Sequence, residues 1–200
     1  MGVEYIHYIL PKRRSFRPTP AQLEALQAAL AAERWIGSET GRAESGDDLK
    51  RSFSVEDSRN SGLRYPFGRA EADAYYTVEL RLAGEYVYPT SELIDPFEDT
   101  GCSCGAELAD WPDEDLFGQA RLRNACTECG SPFDPSASPA TVRDPWTGDE
   151  SSVPGGATHR FALVIDCGKS VPAGAKLDPS LLALVRAQLG EELIEVGDVY

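Results

Sequence analysis

The chain has 200 residues, of which 42% are hydrophobic, and this content is enough to bury one core and a small additional module. The formal net charge of -14 disfavours a nucleic-acid backbone as the main partner, because phosphate binding requires a basic surface. The sequence contains no run of about eighteen apolar residues and no positively charged leader, so we expect a cytoplasmic protein without a membrane span.

The N-terminal part of the chain predicts a strand followed by a helix. Residues 3–10 are β-branched, aromatic and apolar on both faces, which is typical of a central strand. Thr19 and Gln22 form a capping-box pattern around Pro20, so a helix is expected over residues 20–34. Its buried stripe is predicted to consist of Leu23, Leu26 and Leu30.

The middle of the chain is less regular. Residues 37–62 are polar and rich in glycine, which predicts a long loop that contains at most a short strand near residues 52–56. Residues 74–83 alternate between apolar and polar side chains and predict a strand, and residues 86–89 predict a short edge strand.

The C-terminal quarter repeats the plan of the beginning. A strand is predicted over residues 159–167 and a returning strand over residues 192–196. Between them, Asp178 is predicted to cap a helix that begins at Pro179 and ends at Gly190.

Two such units predict an α+β fold, namely a ferredoxin-like two-layer sandwich with two helices on one face of a mixed sheet. An open, doubly wound parallel sheet is the alternative. Residues 1–98 and 158–200 would together form the body. Residues 99–134 would be an inserted cysteine module, and residues 135–157 would be an irregular connection.

Four of the five cysteines form two closely spaced pairs about twenty residues apart: Cys102 with Cys104, and Cys126 with Cys129. This spacing is typical of a tetrahedral metal site, for which zinc is the expected ion. Four protein thiolates leave no open position, so the metal is expected to stabilise the fold. A redox dithiol and two reduced, unligated pairs are the alternatives.

The run from Cys126 through Cys129 and Gly130 to Phe133 resembles a zinc-ribbon knuckle. The resemblance covers residues 101–133 and implies a module used for stabilisation or for partner binding. A glycine follows the second cysteine of each pair, because the tight turn favours a positive φ. The first pair departs from the family pattern, since Cys102 and Cys104 are separated by one residue instead of two.

Charge is distributed unevenly along the chain. A basic loop at residues 12–17 offers a possible anion site, although a solvated loop is the commoner arrangement. Residues 84–120 contain no lysine or arginine and carry ten carboxylates, which predict either a solvated face or a docking surface for a basic partner. These are Glu85, Glu92, Asp95, Glu98, Asp99, Glu107, Asp110, Asp113, Glu114 and Asp115.

No residue pattern identifies a catalytic site. Gly168, Lys169 and Ser170 lack the glycine-rich turn of a phosphate loop. Cys167 has His7 as its one candidate base, and a buried, inert thiol is the more common role for such a cysteine. We therefore expect a non-catalytic interaction protein, of the adaptor or immunity type, with a structural zinc site. The alternatives are an enzyme with an unrecognised active site and a thiol redox protein.

Overall fold

The computed structural model describes residues 5–55, 62–67, 76–88, 102–110, 115–137, 139–143, 150–167 and 176–199. In chain order these residues form β1 (Tyr5–Pro11), α1 (Pro20–Ala32), β2 (Gly41–Ser45), β3 (Asp48–Val55), β4 (Tyr76–Tyr88), β5 (Ala109–Asp110), β6 (Ala120–Leu122), β7 (Pro139–Arg143), β8 (Glu150–Pro154), β9 (His159–Asp166), α2 (Pro179–Leu189) and β10 (Leu193–Val199). No helix among them is long and apolar enough to cross a membrane.

The architecture is dominated by one sheet, which has eight strands within the described residues. Six of them follow the order β10-β1-β9-β4-β3-β2, and β6 pairs with both β4 and β5. Every pair in this sheet is antiparallel. Strand β1 lies between β10 and β9, and its residues 7–11 are buried, which confirms the prediction of a central strand.

The prediction of a ferredoxin-like sandwich on a mixed sheet is wrong. The two strands joined by α2, β9 and β10, run in the same direction, but β1 is inserted between them and is antiparallel to both. No two neighbouring strands of the described sheet are therefore parallel. The sheet is also larger than predicted, because part of the polar stretch at residues 37–62 forms the hairpin of β2 and β3.

Both helices pack on one face of this sheet. Leu23, Leu26 and Leu30 of α1 are buried as predicted, and they share a hydrophobic cluster with the buried residues of α2 and with inward-facing residues of β1, β3, β4 and β9. The caps also agree with the sequence. Thr19 and Gln22 form the predicted capping box, and α2 is capped by Asp178 and by Gly190 at a φ of 68°.

A second cluster covers the opposite face. It joins Tyr8 and Leu10 of β1 to Tyr86, Tyr88 and Leu122, together with Ala157, Ala162 and Val164. Strand β6 lies in the predicted cysteine module but pairs with the end of β4, on the side of β4 that faces β3. The division into a body and an inserted module stays a prediction. The stretch interpreted as an irregular connection contains β7 and β8, which form a separate antiparallel pair.

Candidate metal centre

The first cysteine pair lies on a tight turn that precedes β5. The N–H of Cys102 donates to the carbonyl oxygen of Ala106 at 2.7 Å, and the N–H of Gly105 donates to the carbonyl oxygen of Cys102 at 2.8 Å. Gly105 has a φ of 90°, a conformation that costs glycine little and other residues more. The turn therefore closes with a single residue between Cys102 and Cys104.

The second cysteine pair lies on a similar turn that follows β6. The N–H of Cys126 donates to the carbonyl oxygen of Ser131, and the N–H of Gly130 donates to that of Cys126, both at 2.9 Å. Gly130 has a φ of 72°. The predicted glycine conformation is thus confirmed in both turns, and the second turn accommodates one more residue than the first.

The two turns bring all four thiols of the predicted site together. The sulfur atoms of Cys102, Cys104, Cys126 and Cys129 lie within 4.8 Å of one another. Two contacts join the different turns, with 3.5 Å between the sulfurs of Cys102 and Cys129 and 3.6 Å between those of Cys104 and Cys126. A tetrahedral metal with metal–sulfur bonds of about 2.3 Å holds its sulfurs about 3.8 Å apart, so the cluster has the dimensions of such a site.

The cluster is close to the surface. Cys126 is buried, Cys102 is half-buried, and Cys104 and Cys129 are exposed. Hydrogen bonds from the hydroxyl and the backbone N–H of Ser131 lower the pKa of Cys129 to about 6. The Sγ of Cys129 lies 3.1 Å from the Ser131 hydroxyl oxygen. One thiol of the cluster is therefore readily ionised and available as a ligand.

The pKa of Cys104 reflects the crowding of the four thiols. The backbone N–H of Ala106 acts to lower the pKa of Cys104, but the neighbouring thiols of Cys102, Cys126 and Cys129 outweigh it and raise the pKa to about 12. Thiolates this close repel one another, and a cation between them would remove that repulsion. The arrangement is compatible with a metal ion.

The remaining candidate residues are engaged elsewhere in the fold. Burial raises the pKa of the Cys167 thiol, so this thiol is not an activated nucleophile. The side chain of His7 lies 3.1 Å from Glu195 and packs its ring 4.6 Å from that of Phe67. The loop at residues 168–170 lies outside the described residues.

The basic loop is held by its own chain. Arg13 pairs with Glu191, the guanidinium of Arg14 is buried against the carbonyl oxygen of Pro11, and Arg17 donates to the carbonyl oxygens of Ala83 and Asp47. The three arginines therefore have partners within the chain, while the Arg13 side chain is 63% exposed, and an anion site at this loop stays a prediction.

Part of the acidic run lines a cleft of about 450 Å³ between the β2–β3 turn and strands β5 and β6. Its acidic lining residues are Asp47, Asp48, Glu85, Asp110 and Asp115. Glu107, which precedes Asp110 in the chain and also belongs to the acidic run, is exposed. The other six carboxylates of the run lie outside the described residues: Glu92, Asp95, Glu98, Asp99, Asp113 and Glu114.

The wall of this cleft contains an ion-pair network that the sequence did not identify. Arg121 of β6 pairs with Asp115 and, at 2.9 Å, with Asp48 of β3. Asp115 also accepts hydrogen bonds from the backbone N–H groups of Phe117 and Gln119. Asp115 therefore has a structural role within the fold. A local sequence pattern does not reveal this network, because Asp48 is distant in sequence from Asp115 and Arg121.

No protein-family model, no curated protein and no solved structure matches this chain.

Proposed function

We propose that the chain is a non-catalytic protein that binds one zinc ion through Cys102, Cys104, Cys126 and Cys129 and docks a basic protein partner at its acidic surface. The observation that carries the metal proposal is the convergence of the four sulfurs within 4.8 Å. The positive φ of the glycine in each turn supports it, because both turns are shaped to direct their thiols to one point.

Zinc is the ion that best fits this donor set. Four thiolates in a tetrahedron select zinc or iron among the metals that proteins commonly bind. Sulfurs 3.5 and 3.6 Å apart come from different turns, so both turns contribute to one cluster. This gathering of four thiols around one point favours a shared ion over a redox pair, which would use only two of them.

The metal would act on stability. Strands β5 and β6 are joined by two residue pairs, Ala109 with Leu122 and Asp110 with Arg121. So short a ladder is marginal in water without further support. One cysteine turn precedes β5 and the other follows β6, so an ion bound by both turns would hold β5 against β6. Four protein ligands would leave no position for a substrate.

Cobalt substitution tests the ligand set. We expect apo protein titrated with Co²⁺ to develop the visible bands of tetrahedral cobalt together with thiolate charge-transfer absorption, and we expect Zn²⁺ to displace them. Cys126→Ser should lose intensity in the charge-transfer band. Cys167→Ser is the matched control and should keep the full spectrum, because Cys167 is buried in the main core. An octahedral spectrum for the unaltered chain would rule the tetrathiolate site out.

The acidic cleft supports the second half of the proposal. Glu85 and Asp47 are exposed at its rim, and Asp110 is half-buried. A lysine or arginine side chain of a basic partner would meet the carboxylates of Glu85 and Asp47, which favours fast, salt-dependent association. Asp115 and Asp48 are excluded from this surface because their carboxylates are committed to Arg121, and Asp110 already pairs with Arg123.

Charge removal at the rim tests the docking surface, with a basic partner captured from the native cell as the probe. We expect Glu85→Gln combined with Asp47→Asn to slow association and to weaken its salt dependence, with little effect on folding. Glu192→Gln, at the other edge of the sheet, is the matched control. Binding that is indifferent to salt and to the paired substitution would remove the cleft from the account and favour an enzyme with an unrecognised site.

A further inference from the structure

The open edge of β2 is where the described sheet ends on one side. Among the described strands, β2 pairs with β3 and with no other strand. The two strands are joined by a two-residue turn, Gly46-Asp47, in which Gly46 has a φ of 57°. Such a turn closes on a hydrogen-bonded pair, here Ser45 with Asp48.

The turn fixes which backbone groups of β2 face outward. In an antiparallel ladder, hydrogen-bonded pairs alternate with non-hydrogen-bonded pairs. Ser45, Ala43 and Gly41 therefore direct their N–H and C=O groups toward β3. Arg42 and Glu44 direct theirs toward the open edge, where another strand can pair with them.

The side chains at these two positions carry opposite charges. Arg42 and Glu44 lie on the same face of the strand, are paired with each other, and are about half exposed, at 51% and 56%. Charged residues usually protect an edge strand from pairing. Here the positions of Arg42 and Glu44 make one antiparallel register electrostatically favourable, in which β2 pairs with the β2 of a second copy of the chain.

That pairing has a two-fold axis at Ala43. It sets Arg42 of each copy opposite Glu44 of the other. Both residues direct their backbone N–H and C=O groups outward, so this register forms backbone hydrogen bonds between the copies and also places opposite charges across from each other. A shift by two residues in either direction would oppose Arg42 to Arg42 or Glu44 to Glu44, and like charges in directly opposite positions are destabilising. The edge is therefore self-complementary in one register.

We propose that the chain self-associates through β2, and that two copies join their sheets edge to edge across a two-fold axis at Ala43. The dimer is stabilised by backbone hydrogen bonds at Arg42 and Glu44 and by two intermolecular Arg42–Glu44 ion pairs. This interface is small, and each copy is strongly acidic, so the dimer depends on protein concentration and is favoured at physiological salt over very low salt.

Charge reversal tests the register. Sedimentation velocity of the metal-loaded full chain over a range of concentrations should show a monomer–dimer equilibrium. The single variants R42E and E44R should each raise the dissociation constant about tenfold or more, because each opposes like charges twice. Net charge alone predicts the contrary for E44R, since this variant makes the chain less acidic.

Two further samples complete the test. An equimolar mixture of R42E and E44R should form a heterodimer, because every opposed pair then has opposite charges, and the double variant R42E/E44R should restore the homodimer. Recovery in the mixture also demonstrates that both single variants are folded. A monomeric chain at all concentrations, or a dimer that both single variants leave intact, would overturn the proposal.

Discussion

Burial determines the chemistry of His159, which lies on β9 at 2% exposure. Its Nδ1 lies 2.9 Å from the carbonyl oxygen of Ala157, which makes this nitrogen the N–H donor. Burial lowers the pKa of His159 from 6.5 to about 3, because an imidazolium would lose its hydration in the core. The residue is a neutral packing element and has no catalytic role in this account.

A pH dependence of stability follows from this pKa. Between pH 6.5 and 3 the unfolded chain binds a proton at His159 and the folded chain does not, so the free energy of unfolding falls as the pH is lowered. The slope is at most about 1.4 kcal/mol per pH unit, and the loss between pH 6.5 and 5 is about 2 kcal/mol.

Urea unfolding at a series of pH values measures this slope. His159→Gln should remove it above pH 5, whatever the variant does to absolute stability, because glutamine does not titrate. A variant that keeps the slope of the unaltered chain would assign the pH dependence to other groups.

The roles of individual residues could be predicted where they depend only on neighbours in the sequence. The four cysteines and the glycines after them are visible in the sequence because each turn is built within a few residues. The burial of Arg14 and the contacts of Arg17 could not be predicted, since their partners are contributed by packing around the loop.

At the level of elements, the connection between β3 and β6 depends on the Arg121 network. The Arg121 side chain is 8% exposed and lies 4.8 Å from the ring centroid of Phe117. Removing one partner from a buried ion pair leaves the other charge without compensation in a poorly hydrated site. Arg123, two residues along the chain, pairs with Asp110 at 38% exposure and provides a comparison.

We expect Arg121→Ala to lower the free energy of unfolding by about 3 to 5 kcal/mol. Arg123→Ala should lower it by about 1 kcal/mol or less, because an exposed pair is hydrated in both states. Denaturant unfolding of the metal-loaded protein provides both values. Equal losses in the two variants would contradict the structural role assigned to the network.

Helices and strands differ in how far the sequence predicted them. Both helices carry start signals, at Thr19 with Gln22 and at Asp178, and α2 also carries a stop signal at Gly190, so these bounds could be predicted. Helix α1 has no such stop signal, and it ends at Ala32, two residues before the predicted end. Strand β2 is exposed over almost its whole length and lacks the alternation of apolar residues that indicates a strand. For this reason β2 lies in a stretch predicted as a loop, whereas the short strand predicted near residues 52–56 overlaps the end of β3.

On the scale of the whole molecule, strand order depends on pairings between distant parts of the chain. Residues 5–11 of β1 pair with residues 193–199 of β10, and no local feature specifies that β1 separates β9 from β10. This insertion makes the sheet antiparallel and is the reason that the predicted mixed sheet was wrong.

The central claim is that this cysteine cluster holds one zinc ion. The most direct test is elemental analysis of the full chain, purified without added chelator, combined with titration of its accessible thiols. The account predicts close to one zinc per chain, with the four thiols of Cys102, Cys104, Cys126 and Cys129 protected until a chelator is added. A zinc content near zero with those four thiols reacting freely would contradict it.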